Sequence, residues 1–127
     1  MERKERAVEL KHTGCNCAQA VLLAFSDASG LDDETLKKIG VCFGSGMGGM
    51  DGDCGALTGA EMILGLVKYQ GAKMHRESKT LYNEFVNRCG AAKCRDLKGI
   101  GTGTILCSCD DCIRNAVDIL EETFREG

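Results

Sequence analysis

The sequence contains no proline, no tryptophan and no long apolar run. Its longest apolar stretches, residues 18–25 and 62–67, are far shorter than the roughly 20 residues that a membrane-spanning helix requires. The charged N-terminal segment lacks the apolar centre of a signal peptide. Acidic and basic residues are interleaved at a net charge of −3, which provides no basic platform for nucleic acid. We therefore expect a cytoplasmic protein with no membrane insertion and no nucleic-acid partner.

Glycine and cysteine are the residues in excess, with 17 and 9 copies among 127 residues. An odd number of cysteines does not suit the fully paired disulfide framework of a small secreted protein. In a reducing cytoplasm, clustered cysteines are more often metal ligands or redox groups. The chain length and the 43% hydrophobic content predict one globular domain over residues 1–127.

The spacing of apolar residues predicts an all-α fold, a single-domain bundle of about five to six helices. Apolar residues surround segment 54–69 almost completely, which is typical of a central, buried helix. The glycine-rich segment 44–53 before it is predicted to be a loop. The predicted helices cover residues 2–11, 15–28, 32–42, 54–69, 74–89 and 109–126.

Several cysteines fall at predicted helix beginnings. Cys54 lies in the first turn of one helix, and Cys109 and Cys112 lie in the first turn of another. Unpaired amides and the helix dipole favour a thiolate at such positions, although the neighbouring acidic residues oppose it. Cys17 occupies an inward-facing helix position, and Cys94 follows a predicted chain reversal. Because helix beginnings can converge in a bundle, we expect these five cysteines to form a redox site.

Four segments in a fixed order carry a family resemblance: NCAQAV at 16–21, CGALTGA at 54–60, CRDLKG at 94–99 and IRNAVDIL at 113–120. Together they resemble the C_GCAxxG_C_C family of redox-active proteins, over residues 14–124. The resemblance implies that the site cysteines are Cys17, Cys54, Cys94 and Cys109, with Cys112 as the alternate fourth.

The chain also carries cysteines outside that pattern. They are one of the pair Cys109 and Cys112, together with Cys15, Cys42, Cys89 and Cys107. The sequence assigns no role to the last four, and we expect them to be largely dispensable. Small buried hydrophobic groups are the commonest alternative role for such cysteines.

Two functions remain open, an electron carrier and a thiol oxidoreductase. In the preferred one, Cys17, Cys54, Cys94 and Cys109 bind an iron–sulfur cluster for electron transfer to a redox partner protein. In the alternative, pairs of these thiols cycle between dithiol and disulfide without metal, and Cys109 and Cys112 are the best local pair. A structural zinc site of four cysteine thiolates ranks behind both, because zinc sites usually draw ligands from closely spaced pairs. A homo-oligomer is compatible with the sequence.

Overall fold

The computed structural model describes residues 1–126, which fold into helices joined by turns. The α-helices in this part of the chain are α1 (Arg3–His12), α2 (Cys17–Ala24), α3 (Ser26–Ser29), α4 (Asp33–Gly40), α5 (Gly55–Lys68), α6 (His75–Cys89), α7 (Cys94–Leu97) and α8 (Cys109–Glu126). Over the same residues, none of the helices combines the length and the apolar character needed to cross a bilayer. The all-α prediction is confirmed.

The predicted number of helices was too low, since the described residues form eight α-helices. The predicted helix 15–28 is divided at Phe25, whose φ of −109° and ψ of 21° separate α2 from α3. Helix α7 is a single turn at Cys94–Leu97, directly after the predicted chain reversal. A helix of four residues is too short to show an apolar period, so the sequence pattern could not reveal either short helix.

Helices α2 and α5 cross closely at the centre of the bundle. A Cβ atom on Gly59 of α5 would lie only 2.9 Å from the carbonyl oxygen of Ala18 in α2. Helix α2 buries six of its eight residues, whereas α5 buries seven of its fourteen. Leu66 of α5 is 42% exposed. The most completely enclosed helix is therefore α2, and α5 packs against it with one side open to solvent.

A capping box fixes the beginning of α2. The Asn16 side chain accepts a hydrogen bond from the Gln19 amide at 2.8 Å, and the Gln19 side chain accepts one from the Asn16 amide at 3.0 Å. The Asn16 amide group also donates to the carbonyl oxygens of Gly40 and Val41. These bonds satisfy otherwise unpaired groups at the helix end and attach it to the end of α4. The position of Cys17, the first residue of α2, is thereby fixed.

The glycine-rich segment brings two cysteines together. Its backbone adopts positive φ angles at Gly46, Met47 and Gly48, so this segment is an irregular turn and not a regular helix. A Cβ atom on Gly46 would lie 2.7 Å from the Cβ atom of Cys94, so only glycine permits this approach. The Cys94 amide donates to the Gly52 carbonyl at 3.0 Å, and the Cys54 amide donates to the Ala92 carbonyl at 2.8 Å. These two bonds place the beginnings of α7 and α5 side by side.

Candidate thiol and metal centre

Four of the predicted site cysteines line one cavity of about 260 Å³. Cys17 begins α2, Cys54 directly precedes α5, Cys94 begins α7 and Cys109 begins α8. We call these four residues the cavity cysteines. They come from four separate segments of the chain, and they meet because the beginnings of these helices converge at one end of the bundle. Their role as ligands stays a prediction.

A buried ammonium group lies beside the cavity cysteines. Lys98 lines the same cavity, and its Nζ atom is buried without a hydrogen-bond partner. Burial lowers the pKa of Lys98, but the adjacent Cys109 sulfur, followed by charge interactions with the surrounding cysteines, outweighs this and raises it. An uncompensated buried cation is costly, so the site favours negative charge on the surrounding sulfur atoms.

Cys17 and Cys109 form an unequal pair. The neighbouring Cys17 thiol, together with Lys98, lowers the pKa of Cys109 to about 5. The same interaction and burial raise the pKa of Cys17. The pair therefore favours a thiolate on Cys109 beside a thiol on Cys17, the arrangement that thiol–disulfide exchange uses.

The other two cavity cysteines differ from each other. The Cys112 thiol lowers the pKa of Cys54, and the Ala56 and Leu57 amides at the start of α5 contribute to this against the effect of burial. Burial and the nearby Cys54 raise the pKa of Cys94. The helix-beginning effect expected from the sequence thus acts on Cys54, whereas burial dominates at Cys94.

A second group of three cysteines was not predicted from the sequence, although one member, Cys112, was a predicted site residue. Cys89 ends α6, Cys107 precedes α8 and Cys112 lies in the first turn of α8. Their Sγ atoms all lie within 4.8 Å of one another, so this group can hold a metal ion. We call these three residues the sulfur triad.

A side-chain amide and the neighbouring thiols tune the sulfur triad. The Asn115 Nδ2 atom lies 3.3 Å from the Cys89 sulfur and 4.0 Å from the Cys107 sulfur. The Cys112 thiol, followed by the Asn115 amide, lowers the pKa of Cys89 to about 6. Burial raises the pKa of Cys107 to about 11, and interactions with Cys54 and Cys89 raise the pKa of Cys112.

A sequence signal for the triad existed but was weak. Cys89 continues the buried face of α6 that Leu81 and Phe85 begin at intervals of four residues. Cys107 and Cys112 are five residues apart, and 17 residues separate Cys89 from Cys107. No motif links these positions, because the triad forms only when the end of α6 packs against the start of α8.

Cys109 and Cys112 have different neighbours although they are three residues apart. The Cys109 sulfur interacts with Cys17 and Lys98, whereas the Cys112 sulfur interacts with Cys54 and Cys89. Cys112 is fully buried and does not line the cavity. It therefore connects the cavity cysteines to the sulfur triad.

The two remaining cysteines differ in their surroundings. Cys15 is half-buried and also lines the cavity, whereas Cys42 is exposed on the 3-10 turn Val41–Phe43. Seven of the nine cysteines thus belong to the two connected thiol groups. Thiolate sets of this kind suit zinc and iron–sulfur centres.

Of the comparisons with known proteins, only the one with family profiles gives a match. No curated protein and no solved structure matches the chain. A family profile matches residues 15–123, which include all nine cysteines. The chain therefore belongs to the family described as putative redox-active protein (C_GCAxxG_C_C).

Proposed function

We propose that the protein is a cytoplasmic electron carrier that binds an iron–sulfur cluster through Cys17, Cys54, Cys94 and Cys109. The observation that carries this proposal is the arrangement of these four sulfurs around one cavity that also contains the buried Lys98 ammonium. Such a cluster would supply one-electron redox chemistry, and its four thiolate ligands are the usual set for it.

The residues present suit an anionic thiolate centre. Lys98 has no other hydrogen-bond partner and is placed to compensate the negative charge of four thiolates. The amides of Ala56 and Leu57 favour the charged form of Cys54. Cys54 and Cys94 are 2% and 4% exposed, which keeps water from part of the site. Hydrogen bonds, net charge and exposure of this kind set the potential of a cluster.

A dithiol centre is the second candidate, supported by the low pKa of Cys109 beside the Cys17 thiol. In this reaction the Cys109 thiolate attacks a disulfide of a partner protein and releases one partner thiolate. Cys17 then loses its proton to solvent and attacks the mixed disulfide, which releases the second partner thiolate and leaves a Cys17–Cys109 disulfide. The partner disulfide is reduced by two electrons, and the two cysteines are oxidised by two.

Purification without oxygen, followed by assay of iron, acid-labile sulfide and free thiols, tests both candidates. For a cluster, Cys17→Ser, Cys54→Ser and Cys94→Ser should each remove most of the iron and sulfide, because each thiolate fills a coordination position. The exposed Cys42→Ser variant is the matched control and should keep both.

Two results would contradict the cluster. The first is an iron-free parent with one reversible disulfide that Cys17→Ser and Cys109→Ser abolish, which would establish the dithiol function. The second is a colourless parent in which the cavity cysteines hold zinc, which would establish a structural site instead.

A further inference from the structure

We propose that the sulfur triad, Cys89, Cys107 and Cys112, is a second site that binds one thiophilic metal ion, with Zn²⁺ as its preferred occupant. This site shares no residue with the cavity cysteines, although Cys112 contacts Cys54, and it does not depend on the function proposed for them.

The spacing of the three sulfurs suits a single ion. Zn–S bonds of about 2.3 Å in a tetrahedral arrangement place two sulfurs about 3.8 Å apart. The three Sγ atoms already lie within 4.8 Å of one another, so contraction by about 1 Å or less meets this requirement. Zinc imposes little geometric preference of its own, and it tolerates such adjustment of its ligands.

The side chains around the triad favour metal-bound thiolates. Asn115 directs its amide nitrogen at Cys89 and Cys107, so its N–H groups can donate to both sulfurs. Hydrogen bonds of this kind orient the ligands of metal sites and stabilise their charge. The Lys98 ammonium adds a favourable charge interaction with Cys89 and Cys112.

Three features distinguish the triad from cysteines that merely fill space. The sulfurs come from three different segments, α6, the loop before α8 and α8 itself. All three converge on one another rather than on the apolar core alone. The three members of the group are buried at their sulfurs, although Cys107 as a whole residue is only half-buried, so a bound ion would be shielded from water.

The experiment is a titration of the reduced, metal-free full-length protein with Co²⁺ and then with Zn²⁺, monitored by thiolate-to-cobalt charge-transfer absorption. The parent should bind at least one equivalent, and one equivalent should remain in Cys94→Ser, which lacks a cavity cysteine. Cys89→Ser and Cys107→Ser should lose this binding. Asn115→Leu should keep the site but bind Zn²⁺ about 10- to 100-fold more weakly, the usual effect of removing an outer hydrogen bond. The exposed Cys42→Ser variant is the control.

Alkylation mapping of the parent protein guards against variants that fail to fold. Bound Zn²⁺ should protect Cys89, Cys107 and Cys112 from iodoacetamide. Protection confined to the cavity cysteines, or Zn²⁺ binding that is lost in Cys94→Ser but retained in Cys89→Ser, would overturn the proposal. Equal loss of iron in Cys89→Ser and Cys17→Ser would also overturn it, because the triad would then belong to one larger centre. An iron-free parent would contradict the proposed iron–sulfur cluster, but the Zn²⁺ titration would still test the triad.

Discussion

The cavity cysteines and the sulfur triad use the same side chain in different surroundings. The cavity cysteines lie at helix beginnings, beside the ammonium group of Lys98. The triad lies where the end of α6 meets the start of α8, beside the neutral amide of Asn115. Cys109 in the first group has a pKa of about 5, whereas Cys107 in the second has a pKa of about 11. Cys107 and Cys109 are only two residues apart in sequence. Their different pKa values show that neighbouring charge and burial determine the pKa of a thiol more than its position in the chain does.

The largest expected effect separates the two groups by their metal content. Cys94→Ser should remove iron and leave Zn²⁺ binding intact, while Cys107→Ser should remove Zn²⁺ binding and leave iron intact. Both variants replace one sulfur by oxygen, so each serves as the control for the other. Elemental analysis of protein prepared without oxygen provides the measurement. Parallel loss of both metals in both variants would merge the two groups into one centre.

Overpacking the α2–α5 crossing should disturb the cavity cysteines before the triad. Gly59→Leu introduces a side chain where a Cβ atom would already lie 2.9 Å from the Ala18 carbonyl oxygen. We expect it to lower the free energy of unfolding by about 1–3 kcal/mol. Thermal or denaturant unfolding measures this effect, and iron content reports on the cavity.

Gly65 offers the matched control on the same helix, since a Cβ atom there meets nothing within 4 Å apart from its chain neighbours and the backbone of its own helix. Gly65→Ala should leave stability unchanged or raise it by up to about 1 kcal/mol, because alanine favours the helix. Equal unfolding transitions for Gly59→Leu and the parent would argue against the close crossing.

Removing the buried ammonium should make Cys109 more like an ordinary cysteine. The Cys17 thiol and then Lys98 hold the pKa of Cys109 at about 5, so Lys98→Met should raise that pKa. In the metal-free protein, at a fixed pH below the pKa of Cys109, the thiolate fraction falls about tenfold for each unit by which that pKa is raised. The alkylation rate should therefore decrease at mildly acidic pH and approach that of the parent at high pH.

The pKa of Cys109 is the midpoint of its alkylation rate measured between about pH 4 and pH 9. This interval spans the shifted and the ordinary pKa values of a cysteine. Lys11→Met is the control, because Lys11 contributes less to the shift than Lys98 does. The same midpoint in Lys98→Met and the parent would exclude a charge role for Lys98.

The smallest effect concerns the cap of α2. Asn16→Ala removes the capping box and should lower the free energy of unfolding by about 1 kcal/mol. Since Cys17 is the next residue, the alkylation of Cys109 should also change. Asp32→Ala removes a comparable cap from α4 and should cost similar stability while leaving the thiols unaltered. Identical thiol reactivity in the two variants would indicate that Asn16 does not position Cys17.

The sequence predicted much of the fold and part of the site. The longer helices follow from apolar periodicity, which is a local property, and α5, α6 and α8 match their predicted segments closely. The cavity was foreseeable because Cys54 and Cys109 stand at recognisable helix beginnings and because the four motif segments occur in order. Helices α3 and α7 were not foreseeable, since a single turn carries no period.

By itself the sequence determined the helical class, the family and the presence of more thiols than a helical core needs. Only the tertiary structure decided how those thiols are divided. Cys109 and Cys112 lie in one helical turn. Because α2, α5 and α6 pack around α8, Cys109 lies in the cavity and Cys112 lies in the triad. The burial of Lys98 was decided in the same way. Contacts between segments distant in the chain set these environments, and a local sequence pattern contains no record of them.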